Sequence, residues 1–196
     1  MVKDHNWKSS YLNKFQTEID KIKDEGHYRT FNSIERKAGN YPKATRHHEG
    51  QTHEIDVWCS NDYLGMSQNP EVIQAMIKAA EKLGAGSGGT RNISGTTQNH
   101  ILLEQEIAKL HQKERGLAFN SGYSANESAL KSIISAFDNC LVLSDELNHA
   151  SLIEGIRSSK KEKAIFKHND VSHLKNVLKG VPFERPKIIV LESVYS

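Results

Sequence analysis

Between Gly84 and Thr96 the chain sets five glycines among Thr90, Arg91, Asn92, Ile93 and Thr96. Backbone without Cβ atoms lets a ligand come close and leaves N–H donors uncovered. The flanking side chains are short or forked hydrogen-bonders, so the run reads as a binding loop. A flexible connector is the plain alternative. A second candidate is Ser121-Gly122-Tyr123, between an apolar run and a helical pattern. Free N–H groups and the dipole at a helix N-terminus make an anion site suited to phosphate, and Tyr123 adds an aromatic wall. A serine N-cap in an ordinary βα turn would look the same. His149, just after Asp145-Glu146-Leu147-Asn148, offers a planar imidazole that can stack on an aromatic ligand; a capping or surface histidine is its plain counterpart. Arg29, near Tyr28 and Phe31, has the fork that grips a carboxylate. Lys163 can meet a phosphate or simply end the lysine-rich stretch 160–163.

The elements that must position these groups follow from periodicity and caps. Leu12, Phe15, Ile19 and Ile22 give an amphipathic helix over residues 9–25. Residues 30–53 read as irregular, 54–59 as a strand, and 60–65 as a turn holding Asn61. Asn69 as N-cap, Pro70 at the first helical position and the stripe Val72, Met76, Ala79, Leu83 predict a helix that Gly84 ends. Gly84, Gly86 and Gly89 match G-x-G-x-x-G. That fingerprint must follow a strand, and here it follows a helix, so dinucleotide binding is rejected.

Further on, the pattern predicts a helix over 98–112, a short strand over 116–120 and a helix from Gly122 to about Phe137. A strand at 141–143 follows, ending in Ser144 and Asp145. Then come a helix at 149–159, a strand at 163–167, a helix at 170–179 and an apolar strand at 187–191. Strands alternating with helices, apolar on both faces, predict an α/β fold: a mostly parallel sheet with helices on both faces, after an N-terminal helical segment. The expected division is an arm over 1–53 and the start of a large domain over 54–196. Ligands in such folds sit at the C-terminal ends of the strands, which is where Ser121, Ser144, His149 and Glu192 fall.

Composition excludes several classes. With 37% hydrophobic and 26% charged residues, the 196-residue chain is expected to be globular. Net charge is +2 with dispersed lysines and arginines, which gives no nucleic-acid footprint. No apolar run reaches bilayer length. Residues 1–10 carry no signal-like or transit-like pattern, so a cytoplasmic location is expected. Cys59 and Cys140, without a CxxC, are expected as buried small hydrophobes in a reducing compartment. No spacing suggests a metal.

Ser60-Asn61-Asp62-Tyr63-Leu64-Gly65, the glycine loop, Ser121-Gly122-Tyr123 and Leu147-Asn148-His149-Ala150-Ser151 together resemble the α-oxoamine synthases. These are pyridoxal-phosphate enzymes of the fold-type I (aspartate-aminotransferase) architecture that join an amino acid to an acyl-CoA. Gly89 to Thr96, Leu147 to Arg157, Phe166-Lys167-His168-Asn169-Asp170 and Glu192-Ser193-Val194-Tyr195-Ser196 are most similar to the branch that condenses glycine with succinyl-CoA to 5-aminolevulinate.

The resemblance implies that His149 stacks on the pyridine ring and that Ser121, Gly122 and Tyr123 hold the cofactor's phosphate. It places Glu192 and Ser196 near the ring substituents. Arg29, Asn61, Thr90, Asn92 and Ile93 would bind the succinyl group, partly across a homodimer interface, and Ser144 and Lys163 would contact substrate. It also places the Schiff-base lysine, the aspartate facing the pyridine nitrogen and a small C-terminal domain beyond Ser196. The 196 residues alone are therefore expected to be inactive, with an apolar edge left on the last strand. Other expectations to weigh are a sibling with different substrates, or a non-catalytic module that binds CoA or an intact subunit.

Overall fold

The computed structural model describes residues 7–195, so Ser196 lies outside the described residues. The chain forms two compact units, one up to Gly86 and one from Ser87 onward.

The first unit opens with helix α1 (Trp7–Asp24). Its predicted stripe forms, but Tyr11, Leu12 and Phe15 are more than half exposed. Strands β1 (Ser33–Arg36), β2 (Lys43–His48) and β3 (Gln51–Asp56) make an antiparallel sheet in the order β1-β2-β3. The reading of 30–53 as irregular is thus corrected, and the strand expected at 54–59 starts earlier and ends at Asp56. These strands are polar on both faces, so they carry none of the alternation that marks a half-buried strand. They are held by the ladder itself and by cross-strand pairs such as Lys43 with Glu54 at 2.6 Å.

Helix α2 (Pro70–Leu83) starts where the caps predict: Asn69 accepts from the Glu71 N–H at 2.8 Å. Gly84 ends it at φ 83, its N–H on Ala80 O. Cys59 is exposed, not buried as expected, and lies in the irregular stretch after β3.

The second unit holds α3 (Gln98–Leu110), α4 (Gly122–Ser135), β4 (Leu141–Asp145), α5 (Ala150–Ser158), β5 (Glu162–Phe166), α6 (Val171–Lys179) and β6 (Lys187–Val190). The three strands are parallel in the order β5-β4-β6. Central β4 is buried along its whole length. Val142 packs with Ile134, Cys140, Ile156 and Val190 on the face covered by α4 and α5. Leu141 and Leu143 pack with Phe166 on the face that Leu174 and Leu178 of α6 cover. Full burial of each such side chain contributes about 1.5–3 kcal/mol, and cover on both faces removes the period of two from the sequence. On the edge strands Ile165 and Ile189 stay about half exposed.

The strand expected over 116–120 does not form. Its hydrogen bonds go to side chains instead: the Ala118 N–H donates to Glu104 Oε1 at 2.7 Å, and Ala118 O accepts from Arg91 at 3.1 Å. Among the described residues no helix is long and apolar enough to cross a membrane, and no cluster of His, Cys, Asp or Glu is placed to hold a metal.

Candidate functional site

The second unit brings Ser121, Ser144, His149 and Glu192 to the edge where β4 and β6 end and α4 begins, while Lys163 lies near the start of β5, opposite Val142. Helix α4 is capped by Ser121, whose Oγ accepts the Ser124 N–H at 3.1 Å. Ahead of that bond lie the N–H groups of Gly122 and Tyr123, which the first turn of a helix cannot satisfy internally. A Cβ on Gly122 would meet nothing within 4 Å, and all three residues are exposed. The turn therefore presents donors and the positive end of a 14-residue helix to open space.

His149 stands across from this turn. It caps α5: its Nδ1 accepts the Ser151 N–H at 3.2 Å and lies 2.8 Å from Ser151 Oγ. Ser151 is fully buried and receives Asn126 Nδ2 from α4 at 3.0 Å. One edge of the imidazole is thus fixed to both helices, while the residue stays exposed. The Tyr123 ring meets it edge-on, with centroids 6.4 Å apart and planes at 73°. The His149 N–H donates to Glu192 Oε1 at 2.5 Å, which ties the turn after β4 to the segment after β6.

Beneath them, Asn148 is 5% exposed and donates through Nδ2 to Ser144 Oγ at 3.0 Å and Val190 O at 2.9 Å. Its buried Oδ1 has no partner among the described residues. Asp145 ends β4, 2% exposed. Burial alone would raise its carboxyl, but the Leu147 N–H, His168 and the Asn169 N–H hold it below the ordinary aspartate value. Ser144 and Lys163 line one small cavity of about 60 Å³ with Ile153, Ile156 and Ile165, so these two predicted residues are neighbours.

The glycine loop is ordered by a clamp. Arg91 makes a forked pair with Glu104 of α3, Nη1 to Oε1 at 2.5 Å and Nη2 to Oε2 at 3.1 Å. The Arg91 guanidinium and then the Ala118 N–H pull the Glu104 carboxyl down to about 2. Thr90 O accepts the N–H groups of Ile93, Ser94 and Gly95. A Cβ on Gly95 would lie 1.9 Å from Gly89 O, so only glycine closes the loop. Arg91 is therefore spent on structure, and Thr90, Asn92 and Ile93 form its presented turn, with Ile93 87% exposed. Arg29 and Asn61 belong to the first unit.

Sequence reasoning gave no role to Asp145, Asn148, His168 or Tyr195, although each lies in a run it quoted, and it did not single out Glu104. Asn148 and His168 had a usable signal, since each follows the C-terminal end of a predicted strand. Glu104 had none, because it sits on the helix pattern like any surface acid.

Residues 54–196 match the family model described as aminotransferase class I and II. The chain is 52% identical over 182 residues to a 5-aminolevulinate synthase of Rhizobium meliloti, covering 93% of this chain and 45% of that protein. It is 50% identical over 188 residues to a 5-aminolevulinate synthase of Rickettsia bellii, covering 96% and 44%. Among solved structures, a lysine-to-alanine variant of serine palmitoyltransferase from S. paucimobilis with a bound PLP–myriocin aldimine superposes with a TM-score of 0.77. It is 29% identical, with 99% of this chain and 48% of that chain covered. The chain thus spans about half the length of the curated relatives it matches.

Proposed function

The chain belongs to the aminotransferase class I and II family, and from that premise we propose that it is the cofactor-cradling N-terminal half of a 5-aminolevulinate synthase. The observation that carries this reading is the convergence of the open α4 N-terminus, the anchored His149 ring and the Glu192 carboxylate at one sheet edge. The relatives' names agree with it. The fit to pyridoxal 5′-phosphate is chemical. The free N–H groups and Ser121 suit a phosphate, the exposed imidazole suits the flat side of an aromatic ring, and the orphaned Asn148 Oδ1 is an acceptor without a donor.

When bound, the cofactor supplies an electron sink for the pair left as glycine loses its α-proton. The chain's own residues bind and orient. Ser121, Gly122 and Tyr123 fix the phosphate end, and His149 limits the tilt of the ring. Glu192 lies near the ring substituents, and so does Ser196 by the resemblance. Thr90, Asn92 and Ile93 on the clamped loop take the succinyl carboxylate. Ser144 and Lys163 contact substrate, Lys163 at the CoA phosphates. The working protein is a cytoplasmic homodimer.

The test is the acyl-CoA and amino-acid preference of the gene product that carries these residues. Glycine with succinyl-CoA is expected to exceed L-serine with palmitoyl-CoA by at least about a hundredfold in kcat/KM. Sites that hydrogen-bond a substrate group reject analogues lacking it on that scale or more. A preference for the long acyl chain would instead assign a sibling reaction.

A further inference from the structure

At the strand ends, a circuit links Asp145, His168 and Tyr195, which the reading above leaves without a role, to Glu192 and His149. Asp145, which ends β4, faces His168 Nδ1 at 3.0 Å from its Oδ1, and its other oxygen accepts the Asn169 N–H at 3.2 Å. The His168 ring meets the Tyr195 ring edge-on, with centroids 4.5 Å apart and planes at 82°. Tyr195 Oη accepts the Glu192 N–H at 3.1 Å. Glu192 Oε1 in turn accepts the His149 N–H at 2.5 Å. His149 follows β4 in sequence, so the circuit returns to the strand where it began.

The segment after β6 has little else to hold it. Residues 191–195 form no helix or strand, and Leu191 and Val194 are 58% and 79% exposed. Apolar burial therefore does not fix the position of Glu192. Among the described residues the segment is tied by the Tyr195 ring against His168, which Asp145 faces, and by the hydrogen bonds of Glu192 to Tyr195 and His149.

We propose that His168 is a positioning residue for the cofactor site: it holds the segment after β6 so that Glu192 locks the His149 backbone and with it the plane of the imidazole. The proposal rests on the assignment of His149 as the ring-stacking residue. His168 touches neither substrate nor cofactor in this role. It acts through Tyr195 and Glu192.

The experiment is a mutant cycle in the gene product that contains these residues, with His168→Ala, Tyr195→Phe, Glu192→Ala and the His168→Ala/Glu192→Ala double variant. In the cofactor-free protein, amide exchange of the peptide spanning His149 is expected to quicken roughly tenfold in the first three variants, because the acceptor of its N–H is released. With pyridoxal 5′-phosphate bound, the visible circular dichroism band is expected to change and kcat to fall about tenfold at little-altered KM. Residues acting as one unit are non-additive, so the double variant is expected to fall less than about twofold below Glu192→Ala. Additive losses, or unchanged exchange at His149 in Tyr195→Phe, would overturn the proposal. Tyr195→Phe removes one oxygen and keeps the ring, so it decides the matter even if His168→Ala folds poorly. Failure of the underlying reading looks different, since His149→Ala would then retain activity whatever the cycle shows.

Discussion

Replacing His149 with alanine is expected to lower kcat roughly a hundredfold in the gene product that carries this chain, with a much smaller change in KM for succinyl-CoA. The imidazole is held at one edge only, by the Ser151 N–H and hydroxyl. Its backbone is held by Glu192. This leaves a rigid, flat, exposed group facing Tyr123, suited to limiting the tilt of an aromatic ring. A misplacement near 1 Å costs about a hundredfold in rate, which sets the size of the effect. His149→Phe keeps a flat ring but loses the capping nitrogen, so partial recovery of kcat over alanine is the expected outcome. Steady-state kinetics with absorbance of the bound cofactor checks both. A variant with unchanged kcat would remove His149 from the site.

The second large effect is expected at Glu104, far from the chemistry in sequence. Glu104→Ala releases Arg91 and the Ala118 N–H together, and both the glycine loop and the segment after α3 lose their tie to the helix. KM for succinyl-CoA is expected to rise by roughly one to two orders of magnitude, because Thr90, Asn92 and Ile93 no longer sit on a fixed turn.

The same pair sets an acid response. The folded carboxyl lies at about 2, below its ordinary value of 4.5. Its contribution to stability is therefore fully present above about pH 4.5 and is lost as pH falls from there towards 2. Glu104→Gln has no carboxyl to titrate, so its unfolding midpoint is expected to change less with pH across that window. Chemical unfolding at several acidic pH values reads the difference. Parallel curves for the two proteins would contradict the clamp.

Much of the second unit was legible because its signals are local. The caps at Asn69 and Gly84 framed α2 in the first unit, and unbroken apolar runs marked β4 and β6 as strands, of which central β4 is buried along its whole length. Ser121 and His149 stood out because each sits where a strand pattern gives way to a helix pattern.

The meander of β1, β2 and β3 was not legible, because its strands bury almost nothing and so leave no hydrophobic period. One cue was available: Glu49-Gly50, both at positive φ, join β2 to β3 in the two-residue manner of a hairpin turn. The run over 116–120 misled in the opposite way. It is apolar and short like a strand, but its backbone groups are satisfied by Glu104 and Arg91. That partnership spans the loop, α3 and the segment beyond, and no window of sequence shows it. The circuit from Asp145 to Glu192 is of the same kind, since its members come from three strand ends that only the sheet order β5-β4-β6 brings together.

The most direct test of the central claim is a crystal structure of the gene product containing these residues, soaked with pyridoxal 5′-phosphate. The account predicts the phosphate on the N–H groups that open α4 beside Ser121, the pyridine ring against the His149 imidazole, and Glu192 still on the His149 N–H. A cofactor bound elsewhere, or bound here with His149 turned away from the ring, would contradict it.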